Sequence, residues 1–150
     1  MKHLFLALVL TVSSLSQTPR TIFVFFDNPQ LELRDQSRGD SSAVPFGEYP
    51  VERRVFSKTP EKQSILELLE GPSKFETDSG YSTNLANLRL SQFSLRNGLA
   101  TVQLKGRFVL KGTLSGPRLR SQVERTLKQF KTVRRVIVLV NGKKDFDSLK

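Results

Sequence analysis

The sequence predicts an α+β fold: a mixed, mainly antiparallel sheet of four to five strands with two helices packed on one face. Three observations carry this. Asn97-Gly98 separates two runs of alternating apolar and polar residues, the signature of a tight β-hairpin. Two segments, around Ile65–Leu69 and Leu119–Phe130, carry apolar residues at helical spacing. The second leads into an aliphatic run, Val133 to Val140, stopped by Asn141-Gly142. At 150 residues the chain has room for one ordinary domain.

The first segment reads as a secretory leader. Lys2 and His3 give a basic start, Leu4 to Val12 is almost wholly apolar, and Ser14 and Ser16 are small. Residues 1–16 form the expected signal peptide, with a cut between Ser16 and Gln17. An uncut anchor is the alternative, although the apolar run is short for a span. Residues 17–150 are then a single domain with a long polar loop at 30–50.

Thr21 to Asp27 is a β-branched and aromatic run ended by Asn28-Pro29, so a buried strand is expected. The segment from Gln30 to Pro50 is polar and broken by Gly39, Pro45, Gly47 and Pro50, the pattern of the loop, with room for short strands at its flanks, as around Leu31 to Leu33. Val51 to Phe56 reads as a second strand. Thr59-Pro60-Glu61 opens a helix with a hydroxyl N-cap, a first-turn proline and an acid, and Gly71-Pro72 closes it. Ser73 to Asn87 is polar and irregular. A two-residue turn at Asn97-Gly98 pairs Arg96 with Leu99, Leu95 with Ala100 and Phe93 with Val102. That register puts Phe93, Leu95, Ala100, Val102 and Leu104 on one face, which needs a helix against it. Ser115-Gly116-Pro117 opens the second helix, with Leu119, Val123, Leu127 and Phe130 inward. The closing strand is apolar on both faces from Val136, which predicts a central place in the sheet.

Several of these pieces resemble the GerM-type sporulation and germination domain (GerMN domain) of bacterial envelope proteins. Val51-Glu-Arg-Arg-Val-Phe56 is similar to its entry strand, and Ile65-Leu-Glu-Leu-Leu-Glu-Gly-Pro72 to its first helix. Leu95 to Leu104 resembles its hairpin. Gln122 through Lys143 resembles its closing helix and strand, and is the most specific stretch. The resemblance runs from about Thr21 to Lys143. It departs from the family in the length of the loop before Pro50, and in Gln103 and Lys105, where an acid or hydroxyl is usual. It implies an exported or lipid-anchored interaction or scaffolding module, similar to the ring-building domains of envelope assemblies. No cysteine follows the apolar run, which argues against a lipid anchor.

The composition excludes much chemistry. His3 is the single histidine and there is no cysteine, so the mature chain lacks both. That removes serine–histidine and cysteine–histidine catalysis, thiolate chemistry and His/Cys zinc sites. Disulfides are excluded too. No phosphate loop or dinucleotide fingerprint is present, and no cofactor is expected. A carboxylate pair for glycan hydrolysis would be drawn from Asp27, Glu52, Glu67, Glu70, Glu76, Asp78 and Glu124, with Glu76 and Asp78 beside Tyr81 the best arrangement. Asp145-Phe-Asp147 lacks the glycine and distal glutamate of a calcium loop. Arg38-Gly39-Asp40 reads as a chance tripeptide.

Charge supplies the positive candidates. The net charge is +10, or +9 once Lys2 leaves with the leader. Arg118, Arg120, Arg125, Lys128 and Lys131 cluster along the second helix. Together with Lys105, Arg107 and Lys111 they form a candidate basic stripe. The expected partners are an envelope protein, a second copy of the chain, or an anionic wall polymer, with neither nucleic acid nor a small-molecule substrate. A peptidoglycan hydrolase is the enzymatic alternative. A helix exterior decorated for solubility is the plainest explanation of the stripe.

Overall fold

The computed structural model describes residues 18–39, 45–109 and 112–144. The expected leader, Lys111 and the Asp145–Asp147 segment lie outside the described residues, as does Asp40. The fold is α+β. Its elements are β1 (Arg20–Asp27), α1 (Pro29–Ser37), β2 (Glu48–Val55), α2 (Pro60–Glu70), α3 (Lys74–Asp78), β3 (Leu88–Arg96), β4 (Leu99–Gly106), α4 (Ser115–Lys128) and β5 (Arg135–Val140).

The five strands divide between two sheets instead of sharing one. β1 and β2 form an antiparallel pair, and β3-β4-β5 form a mixed sheet with β5 parallel to β4. The hairpin register is the one expected: Arg96 faces Leu99, Leu95 faces Ala100, and Phe93 faces Val102. Asn97 and Gly98 both have positive φ, as a type I′ turn requires. A bulge between Leu90 and Gln92 frees Ser91, whose hydroxyl donates to the Gln103 carbonyl at 3.0 Å.

α2 and α4 lie against each other, and each touches both sheets. Their buried faces (Ile65 and Leu68; Leu119, Val123 and Leu127) join Ile22, Val24 and Phe26 of β1 and Ala100, Val102, Leu104 and Val138 in one core. Phe93 and Phe130 pack against it, as the helical and strand periodicities require. Fully burying one such side chain contributes about 1.5–3 kcal/mol, so this shared core binds the two sheets.

Four further expectations are corrected. The stretch read as loop at 30–50 opens with α1. None of its residues is buried; Asn28 caps it by accepting from the Leu31 amide at 3.2 Å, and the Tyr49 hydroxyl donates to Asp35 at 2.8 Å. A helix with no apolar stripe leaves no period to read. The segment after Pro72 likewise holds α3, opened by a reciprocal capping box between Ser73 and Glu76. Thr59 occupies the N-cap of α2 but its side chain does not cap. β5 is an edge strand, not a central one, because it pairs with β4 alone; its outer face, Ile137 and Leu139, is apolar without belonging to the core.

Candidate functional site

The residues singled out for their charge separate into two groups. α4 turns a hydrogen-bonding flank toward β1 and β2. There Arg118 donates to the Phe46 carbonyl at 2.8 Å and lies 3.9 Å from Asp27 and 3.7 Å from Glu32. One helical repeat on, Arg125 donates to the Glu48 carbonyl at 3.2 Å, lies 3.4 Å from its carboxylate, and sits over the Phe25 ring at 4.7 Å. These two arginines brace the fold. Arg120 reaches the Lys144 carbonyl at 3.2 Å, Lys128 pairs with Glu124 at 3.3 Å, and Lys131 is exposed. Lys105 and Arg107 are exposed at the far end of β4 and just beyond it. Arg118 and Arg125 are thus taken up by contacts within the fold, while Lys128, Lys131, Lys105 and Arg107 remain exposed.

Beneath the two braces lies a pair of acids that sequence reasoning did not connect. Asp27 and Glu48 are register partners at the end of the β1–β2 ladder, 5 % and 0 % exposed. Asn84 donates to Asp27 Oδ2 at 2.7 Å, while Asp27 Oδ1 and Glu48 Oε1 have no hydrogen-bond partner. Burial pushes the Asp27 carboxyl up to about 6, against the pull of Arg118. Burial also raises Glu48, opposed by Ser121 and Arg125. Asp27 opens onto a cleft of about 400 Å³ that Asn84, Thr113, Ser115 and Arg118 also line. Glu48 fell in the presumed loop, so nothing in the sequence paired it with Asp27.

Of the other acids proposed for glycan hydrolysis, Glu76, Asp78 and Glu67 are engaged in ion pairs away from this cleft. Glu76 takes a bidentate pair from Arg53, at 2.6 Å to each oxygen, and accepts from the Ser73 amide. Those bonds hold its carboxyl below the usual range, the wrong direction for a general acid. Asp78 pairs with Lys74 on the exposed side of α3 at 2.9 Å. Glu67 lies 3.9 Å from Arg53. Among the described residues, no group of three or more acids or histidines is placed to hold a metal, and no helix is long and apolar enough to cross a membrane.

Solved structures share this architecture. The first GerMN domain of the sporulation protein GerM from Bacillus subtilis superposes with a TM-score of 0.56 at 17 % identity, covering 82 % of this chain and 84 % of that one. The tandem GerMN domains of the same protein match with a TM-score of 0.53 at 24 % identity over 90 % of this chain. This chain spans only 43 % of the tandem structure. A search among curated proteins finds no match. The model of the Germane family, described as sporulation and spore germination, matches residues 24–146, nearly the whole of the described fold. The chain therefore belongs to the Germane family of sporulation and spore germination domains.

Proposed function

We propose that this chain is an exported, non-catalytic interaction module of the bacterial cell envelope, acting through its basic surface on an anionic or acidic partner. One observation carries the reading: the charge is segregated. From Ser79 to Lys144 the sequence holds a single acid, Glu124, among fourteen lysines and arginines. Glu124 is already matched by Lys128. The acids of the first half are largely spent on internal pairs, as with Glu76, Asp27 and Glu48. The outward face of the second half is left to attract negative charge. Export is supported by the leader pattern of residues 1–16 and by the family's place in sporulation and germination.

Expression of the whole chain in a bacterial host tests the placement. A mature protein beginning at Gln17, recovered outside the cytoplasm, is the expected result; an intact leader on a cytosolic protein would refute it. Sedimentation with purified cell wall and with envelope extracts tests the surface. Binding is expected to fall steeply with added salt. Loss of turbidity in a wall suspension would instead establish the hydrolase.

A further inference from the structure

The outer face of the β3-β4-β5 sheet has an arrangement of charge that the stripe along α4 lacks. Because side chains alternate, the residues opposite the core form rows across the three strands. Arg96, Leu99 and Arg135 make one end row, and Arg89 and Lys105 the other. Between them lie Ser94, Thr101 and Ile137, then Gln92, Gln103 and Leu139. The four basic residues are exposed, while Leu99, Ile137 and Leu139 are half-buried and outside the core. No acid stands on any of the three strands. Six residue steps along β4, from Leu99 to Lys105, separate the end rows, a distance of about 20 Å.

We propose that this face docks the anionic lipid surface of a membrane. The proposal rests on the reading of the chain as a surface-acting module and names the partner of one face. Long basic side chains at two opposite ends stand around a centre of shorter, neutral ones, and a plane of headgroups meets both ends at once. Other anionic partners fit less well. A phosphate polymer presents charges every few ångströms, and the two middle rows offer it none. A protein interface wants aromatic anchors at its centre, and a single-stranded nucleic acid wants aromatic platforms. The aromatic residue of these strands, Phe93, packs against the core on the opposite face. The aliphatics between the basic rows are half-buried, so attachment is electrostatic and peripheral.

The test is co-sedimentation of the chain with phosphatidylcholine vesicles with and without phosphatidylglycerol. Binding is expected only where phosphatidylglycerol is present, and it should fall as salt rises. Each end pair contributes separately, so Arg96→Gln with Arg135→Gln, or Arg89→Gln with Lys105→Gln, weakens partitioning by about 30-fold. All four positions are exposed, and an unchanged melting transition would show that the variants fold. Lys128→Gln with Lys131→Gln, on and just beyond α4, leaves vesicle binding as it was. Equal loss from that helix pair, or no loss from either sheet pair, overturns the proposal. Binding to purified wall with none to anionic vesicles also overturns it, while leaving the broader reading of an anion-seeking module intact.

Discussion

Asp27 is held in a state that ordinary acids avoid. Its folded-state pKa of about 6 stands above the 3.8 of a free side chain, so the folded chain binds its proton more tightly than the unfolded chain does. The contribution of this group to stability therefore grows as pH falls from about 6 toward 3.8 and is absent at neutral pH. Asp27→Asn removes the titration. Measured by denaturant unfolding, the variant should gain about 2 kcal/mol relative to wild type on going from about pH 4 to about pH 7. A difference that does not change with pH would show that Asp27 is not titrating in this window. Glu76 has the opposite sign. Its lowered pKa adds stability above 4.5 that is lost as pH falls through the folded value. Its partner Arg53 is 18 % exposed at the side chain and also lies over the Phe26 ring at 5.8 Å. Arg53→Ala should cost about 2 kcal/mol in an unfolding titration near neutral pH, less than a fully buried pair would. Neither acid's state is legible in the sequence, since each depends on a partner more than twenty residues away.

Among the elements, β1 is the one whose exposed backbone is most fully answered. On the side away from β2, the Gln129 side chain accepts from the Phe23 amide at 2.8 Å and donates to the Phe23 carbonyl at 2.6 Å. The Thr126 hydroxyl accepts from the Phe25 amide at 3.2 Å, and Asp27 exchanges backbone bonds with Ser82 at 3.0 and 2.8 Å. Side chains of α4 and the residue after it thus stand in for a third strand. Gln129→Ala should lower stability by about 1–2 kcal/mol and selectively speed amide exchange at Phe23; uniform exchange across both sheets would contradict this local role. At the end of β4, Gly106 has φ of +142° and a Cβ there would collide with the Asn87 carbonyl oxygen. Gly106→Ala should cost more than about 2 kcal/mol, read from its melting transition. What was legible at this scale was local. Asn97-Gly98 dictates its own φ values and therefore its register, and the apolar stripes of α2 and α4 reveal their buried faces. α1 hid because its stability comes from a cap and a tyrosine instead of a stripe. β5 was misplaced because an apolar outer face mimics burial on both sides.

At the scale of the whole molecule, the division into two sheets was not readable, because which strand accepts a neighbour is settled by packing between distant segments. The single core was readable, since both helices must bury a stripe. Leu127 is fully buried in that core. Leu127→Ala should cost about 3 kcal/mol, and protection from hydrogen exchange should fall together at Val24 in one sheet and Val102 in the other; a loss of protection confined to either sheet would mean two separate units. The basic sheet face is not legible in the sequence either, because only the pairing of three strands gathers Arg89, Arg96, Lys105 and Arg135 onto one side.

The long excursion from β4 through α4 to β5 is fastened at both ends. At one, the Gly98 carbonyl accepts from the amides of Arg134 and Arg135 at 2.8 and 3.0 Å. At the other, the Asn141 side chain clasps the amide and carbonyl of Gly106 at 3.1 and 2.9 Å. Such buttoning makes the covalent link between Gly106 and Ser115 dispensable once folding is complete. A protease nick there should leave two fragments that travel as one particle and part only in denaturant, and new termini opened at that point should still yield the native arrangement.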